Sequence, residues 1–443
     1  MLPPAWRAFL DRRVPALRHR NFRIYWFCQF ISLIGSWMQA VAQSWLIHEL
    51  DPAPFALGFL SFLQFLPVLL FSLWAGVIAD RIDRRRLLFV TQSVATVQAV
   101  LIAVIVTAGV VKPWMVYVLA LVYGVFNAFD LPARQSFLVE LVGKEDLSNA
   151  IALNSAAFNS ARIFGPAVAG ILVAAMPGWI RALGIAHWFH GPLIGEAGCF
   201  WINAISFIAM LWGLGEMRLA PRAVQAATRT FDTLREGVRY ALDIRPIRNL
   251  LVLLGCTTSL GFQYTTLLPI YARDILKSDA GAFGALMSAF GVGSLTAAAL
   301  LTRRQDRWNL RRNLLAGLLT SGIGMVGFAW SRSLALSLAM GFLIGFGLIL
   351  YVASTNTMLQ LTTEDRYRGR VMSLYTLMFV GTAPIGALVA GAIAQHAGAP
   401  IATTFSAGVL LLGALWTGYR LRVLAAREAA AQPPEPAATE RMG

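Results

Sequence analysis

The sequence predicts an all-α membrane protein: twelve transmembrane helices in two six-helix bundles, with both termini on the cytoplasmic side. Three observations predict it. Hydrophobic residues make up 57% of the 443 and charged ones 13%, a balance too apolar for a soluble chain of this length. An apolar helix needs roughly 20 residues to cross a hydrocarbon core about 30 Å thick, and twelve runs approach or exceed that length. They are residues 22–48, 56–79, 87–111, 114–129, 150–176 and 197–214, then 249–271, 281–301, 314–330, 334–358, 371–394 and 401–419. Finally, 31 of the 37 Lys and Arg residues fall in the end segments and the even-numbered connections, which the positive-inside rule assigns to the cytoplasm. Backbone polar groups cannot stay unpaired in lipid, so the runs are helices rather than open strands.

The net charge of +15 therefore sets topology and is not a nucleic-acid patch. Residues 1–21 form a cytoplasmic N-terminal segment, and the basic stretch 7–23 is expected along the anionic leaflet. No cleavable signal peptide is read, because the apolar run that follows is too long for one.

The first run carries Gln29, Ser32, Ser36, Gln39 and Gln43 at spacings of 3, 4, 3 and 4, one continuous polar stripe on an apolar helix. Facing lipid would be costly, so the stripe is expected to line a cavity; interhelical hydrogen bonding is the alternative. Between the second and third runs lies Gly76-Val77-Ile78-Ala79-Asp80-Arg81-Ile82-Asp83-Arg84-Arg85-Arg86, with six charges in its last seven residues. The fourth run ends at Asp130, with Arg134 four residues on.

The fifth run contains Arg162, about 13 residues or roughly 20 Å from its start, near mid-membrane. Placing Arg there costs about 2.5–3.5 kcal/mol, so it should face the bundle interior or a wet cavity. Asn159 and Ser155 precede it on the same face. Arg162 is read as a cation that attracts an acidic substrate or tunes a proton site; a buried Arg capping carbonyls is the alternative. Weaker candidates are Thr257, Thr258, Gln263, Tyr264 and Thr265 in the seventh run, and Tyr351, Ser354, Asn356 and Thr357 in the tenth.

The polar segment 215–248, with seven Arg and an amphipathic stretch at 231–242, reads as a cytoplasmic linker between bundles 22–214 and 249–424. The Ala/Pro/Glu tail 425–443 reads as disordered. The halves echo each other. Glu145-Asp146 and Pro166 in the first recur as Glu364-Asp365 and Pro384, at offsets of 219 and 218 residues. Such a parallel repeat places a substrate site between the halves near the midplane.

The pattern Gly76…Asp80-Arg81…Arg84-Arg85 resembles the signature loop between helices 2 and 3 of the major facilitator superfamily. Asp83 stands where that family usually has Gly. Gly165-Pro166-Ala167-Val168-Ala169-Gly170 resembles the helix 5 motif of its antiporters, in which Pro bends the helix and small residues admit a neighbour. Leu17-Arg18-His19-Arg20-Asn21-Phe22-Arg23, Asp130-Leu131-Pro132-Ala133-Arg134-Gln135, Ala161-Arg162-Ile163-Phe164-Gly165-Pro166 and Leu268-Pro269-Ile270-Tyr271-Ala272-Arg273-Asp274 narrow the resemblance. They are similar to the bacterial drug and siderophore efflux group that includes the enterobactin exporter and the macrolide pumps. Residues 178–195 make a longer connection than that group leads one to expect.

The resemblance implies a proton-coupled secondary transporter of a bacterial inner membrane that exports small molecules by alternating access, working as a monomer among membrane lipid. It implies that Asp130 pairs with Arg84 or Arg81 as a cytoplasmic clasp, with a local Asp130–Arg134 pair as the alternative. No run has a carboxylate at its centre, so Asp130, and after it Glu49 beside His48, are the candidate proton carriers. A lipid or lysophospholipid flippase of the same fold is the second reading, a non-transporting receptor the third. No enzyme chemistry and no cofactor are read: there is no Walker loop, and His187 and His190 lack further metal ligands. Cys28, Cys199 and Cys256 fall in apolar runs and imply neither disulfide nor metal.

Overall fold

The computed structural model describes residues 14–184, 186–217, 230–301 and 307–431. Residues 1–13, 218–229 and 432–443, with the expectations made for them, lie outside that set, as do the side chains of Asp80 and Arg81 and residue Gly76. Twelve helices are long and apolar enough to cross a membrane. In the first half they are α1 (Arg20–Leu50), α2 (Pro54–Arg81), α3 (Arg84–Thr107), α4 (Pro113–Val142), α5 (Leu147–Ala182) and α6 (Ile194–Glu216). In the second they are α7 (Arg245–Ile275), α8 (Ala280–Leu300), α9 (Arg307–Trp330), α10 (Leu334–Thr362), α11 (Asp365–Ala397) and α12 (Ala399–Ala431).

Most helices outrun the apolar segments that predict them, because hydrogen bonding continues past the hydrocarbon into polar residues. α4 does not end at Asp130 but runs on through Pro132 to Val142, so Asp130 lies inside a helix. α5 reaches Ala182, which turns the start of the long 178–195 connection into helix. α12 continues to Ala431, seven residues into the stretch expected to be disordered. Helix ends follow local chemistry. Pro54 and Pro113 open α2 and α4, where a missing N–H costs nothing. Gly143 and Gly398 close α4 and α11 at φ of 71° and 87°, a backbone region that side chains disfavour.

α7 and α11 are irregular. α7 passes through a π-helical turn at Thr257–Gly261, breaks at Phe262 and Gln263, and ends in a second π-helical turn at Tyr271–Ile275. α11 carries one at Leu377–Gly381, just before Pro384, which has no N–H to continue the ladder. The linker contains a helix, Thr230–Asp243, where the amphipathic stretch was expected. Its Tyr240 ring stacks on Tyr367 of α11 with centroids 4.0 Å apart, and Glu236 pairs with Arg370 at 2.8 Å.

The halves meet along two seams, α5 against α8 and α2 against α11. In each, the fifth helix of one half meets the second of the other, so the sequence echo at Pro166 and Pro384 has a spatial counterpart. Small residues make the approach possible. A Cβ on Gly170 would lie 2.8 Å from the Ala280 carbonyl and 3.1 Å from Gly281 Cα, and one on Gly58 would lie 2.6 Å from the Ala387 carbonyl. Facing outward are large apolar side chains such as Val97, Ile171 and Leu412, each more than half exposed, as a lipid-facing surface requires.

Candidate functional site: a cavity between the halves

Between the two seams lies a cavity of about 250 Å³ lined by both halves. The first half supplies Trp37 of α1, Ser61 and Phe65 of α2 and Arg162 of α5. The second supplies the broken stretch of α7 (Thr258, Phe262, Gln263, Tyr264, Thr265 and Thr266), with Phe290 and Ser294 of α8 and Phe379 and Ala383 of α11 among others. The irregular backbone of α7 and α11 thus sits where it lines a cavity, the place a membrane helix tolerates it. Tyr264 stacks on Phe290 with centroids 4.2 Å apart, fixing one wall.

Of the predicted cavity residues, Arg162, Gln263 and Tyr264 line it. Asn159 and Ser155 stand about one and two turns nearer the start of α5 than Arg162, outside the cavity, with Asn159 Nδ2 donating to the Ser155 carbonyl at 2.9 Å. Asn356 is also outside and accepts from Gln360 at 2.6 Å. Gln29, Ser32, Ser36, Gln39 and Gln43 depart from expectation altogether: none lines the cavity. Their face of α1 turns into the first bundle. Gln39 donates to Gln98 of α3 at 3.0 Å and accepts from Asn203 of α6 at 2.7 Å, while Gln43 accepts from Gln64 of α2 at 3.3 Å. Ser36 donates to the Ser32 carbonyl at 2.8 Å. Apolar surroundings make these amide bonds worth making, and the stripe is spent on holding helices together. Trp37, one residue off the stripe, faces the cavity instead.

The charged loop also finds its partners within the first bundle. Arg84 donates to Glu140 at 2.8 Å and to the Ser136 carbonyl at 3.1 Å, both on α4. Arg85 donates to the Leu214 and Gly215 carbonyls at the end of α6, at 2.7 and 2.9 Å, where a cation suits the helix dipole. Asp83 caps α3 by accepting the Arg86 N–H at 2.7 Å, and its φ of −55° demands no glycine. Of the two partners expected for Asp130, Arg84 is bonded to Glu140 instead, and the Arg81 side chain lies outside the described residues. Asp130 is buried and accepts from Thr91 and Gln92 of α3, each at 2.8 Å, and from Arg134 one turn on. A buried carboxylate needs a cation close by, and among the described side chains Arg134, the local alternative, supplies it.

At the face opposite the chain ends, a histidine–carboxylate contact and an ion pair join the halves. His48 Nε2 lies 3.1 Å from Asp274 Oδ2, and Arg273 pairs with Glu49. The Arg273 guanidinium also sits 5.9 Å from the Trp45 ring. Gly165 and Gly170, which flank Pro166, lie against α1 and α8, so that motif packs both within its own half and across the seam. Among the described residues no group of three His, Cys, Asp or Glu side chains could hold a metal ion.

Twelve spanning helices, a half-repeat and a cavity between the halves define a major facilitator transporter. The chain belongs to the transmembrane secretion effector family of that superfamily, whose family model matches residues 13–442. It is similar to the staphyloferrin A transporter of Staphylococcus aureus, 26% identical over 85% of this chain and 90% of the relative. The multidrug efflux pump Tap of Mycolicibacterium fortuitum is 25% identical over 86% and 90%, and the enterobactin exporter EntS of Shigella boydii 25% over 90% and 91%. Among solved structures, a bacterial homologue of the human lysosomal transporter Spinster, in an inward-facing and occupied conformation, shares the fold. It matches with a TM-score of 0.69 at 14% identity, over 94% of this chain and 99% of that one. The protein is a multi-pass bacterial membrane transporter and not an enzyme.

Proposed function

We propose that the protein exports small molecules across the bacterial inner membrane by alternating access, in exchange for protons. The observation that carries this reading is the cavity itself, walled by both halves beneath a face where ion pairs and small-residue seams join them. Charge asymmetry sets the orientation: the face bearing the chain ends is cytoplasmic, so the joined face is periplasmic and this state loads from the cell interior. The efflux pumps and siderophore exporters among the relatives support export rather than uptake.

The cavity needs both halves of only one chain, which supports a monomer as the working unit, read as a first bundle (22–214), a linker (215–248) and a second bundle (249–424). Arg162, Gln263 and Tyr264 contact substrate, and the Gly165–Pro166–Gly170 segment forms the seam across which the halves move. Asp130 is assigned the proton. In this state its carboxylate is held by Arg134, Thr91 and Gln92, so handing a proton on requires a conformation that rearranges those contacts. The test is transport in everted membrane vesicles under an imposed pH gradient, with an acidic siderophore and a cationic dye as cargo. Uptake that collapses with the gradient, and with Asp130→Asn at equal folded abundance in the membrane, supports the reading; uptake indifferent to both refutes the proton exchange, and no uptake of any cargo refutes export.

A further inference from the structure

Arg162 is the one charged side chain among those lining the cavity, and no carboxylate accompanies it there. Its Nη2 is buried without a hydrogen-bond partner. Among the described residues the guanidinium caps no carbonyl and pairs with no acid, whereas Arg84, Arg85 and Arg273 near the bundle ends do. Tyr264, on the same cavity wall as Phe290, offers it a hydroxyl, a neutral dipole and not a counter-charge. Around it the walls are aromatic, with Trp37, Phe65, Phe290 and Phe379, and the remaining polar groups at the α7 break include hydroxyl and amide donors such as Thr258 and Gln263.

A guanidinium with a buried, unpartnered nitrogen and no acid among the lining residues lacks its counter-ion, and burying a charge without one is unfavourable. A cationic cargo would add a second positive charge with nothing to offset the first. An anionic cargo completes the pair, and Arg offers it a planar fork that matches a carboxylate or phosphate. We infer that the cavity takes an organic anion, a single acidic head on an apolar, ring-bearing body, with the head on Arg162 and the body against the aromatic walls. The acid-free lining also sets aside the role of Arg162 as the tuner of a neighbouring proton site. This inference names the cargo class for the transport reading above and rests on it, but its test is binding at equilibrium and needs no transport.

The test uses the full-length protein in nanodiscs with three matched probes: 2-naphthoate, 2-naphthylmethanol and 2-naphthylmethylammonium, read through quenching of tryptophan fluorescence. Naphthoate should bind at least about tenfold more tightly than the ammonium, the ratio a charge-assisted hydrogen bond supplies. Arg162→Gln should erase that preference and Arg162→Lys should keep most of it. Equal or stronger binding of the ammonium by the unaltered protein overturns the inference, as does failure of naphthoate to bind; neither outcome depends on any variant folding. A competition arm with lysophosphatidylglycerol distinguishes the source of the anion. Displacement of naphthoate assigns the site to a lipid headgroup, and no displacement assigns it to a soluble acid; both support an anion site. Selective naphthoate binding without vesicle transport of any cargo would leave this inference standing and remove the export reading.

Discussion

His48 at the end of α1 and Asp274 at the end of α7 lie 3.1 Å apart, nitrogen to carboxylate oxygen, and beside them Glu49 pairs with Arg273. Both contacts cross from one half to the other at the same face. They are the polar part of the closure there. Asp274 and Arg273 are nearly half exposed, so each pair is worth about 0.5–1 kcal/mol rather than the larger value of a dry pair. The double variant Glu49→Gln, Asp274→Asn should therefore shift the population toward the state open at this face by roughly 5- to 30-fold. Spin-label distances between the tips of α1 and α7 measure it; an unchanged distance distribution would mean that the helix seams alone set the equilibrium.

The seams make a sharper demand. Gly170→Val should block approach of α5 to α8 and lower transport by at least about tenfold, because the new carbons meet backbone that cannot move aside. Gly178, whose Cβ position has nothing within 4 Å, provides the matched control: Gly178→Ala should transport normally. Equal activity at equal membrane abundance in both variants would contradict the seam.

Asp130 and Arg134 should behave as a unit. Asp130→Asn leaves a buried guanidinium uncompensated and should lower stability by about 3–5 kcal/mol, while adding Arg134→Gln recovers most of it. Thermal denaturation in detergent reads both variants. If the double variant is no better than the single, the pair is not the unit of stability.

Arg84 belongs with Glu140 instead. Reversing that pair, Arg84→Glu with Glu140→Arg, should restore stability lost in either single variant, by about 1 kcal/mol. Arg84 and Asp130 substitutions should simply add. A coupling between Arg84 and Asp130 larger than that between Arg84 and Glu140 would reverse the assignment.

Asp146, just before α5, accepts from His19 at 2.7 Å and from Arg18 at 3.1 Å. The His19 bond, and after it the Arg18 charge, hold this carboxyl below its ordinary 3.8. A depressed carboxyl stabilises the folded state fully above its unfolded value and loses that contribution as pH falls through the lower folded one. Protection of the amides of residues 14–20, taken against the unfolded-chain exchange rate at each pH, should thus hold down to about pH 4 and fall below it, and Asp146→Asn should lower it throughout. Protection that fails already at pH 6 would point to a different anchor.

The spanning helices were legible because apolar length is a local property of the chain. Their ends were not, since nothing in an apolar run says how far the helix continues through Asp130 and Pro132. The α1 stripe shows the other limit. Spacing establishes that Gln29 through Gln43 share a face, but what that face meets depends on Gln98 and Asn203, dozens of residues away. Arg162 was legible because a mid-membrane charge needs a reason wherever it points. The π-helical turns at Thr257–Gly261 and Leu377–Gly381 left a trace in Gly261 and Pro384, yet small residues and prolines occur in many packed helices. Pairings such as Glu49 with Arg273 join residues far apart in sequence: the charge types could be read, but not which would meet.

The broken seventh helix gives the two halves unequal chemical duties. The first half contributes a single fixed cation and keeps its amides for its own cohesion, whereas the second presents most of the cavity's hydrogen-bonding surface on one short, irregular stretch. Changes of cargo can therefore accumulate between Thr258 and Thr266 while the first half stays as it is. Relatives with different cargoes should diverge most over that stretch, with the cation opposite as the constant term.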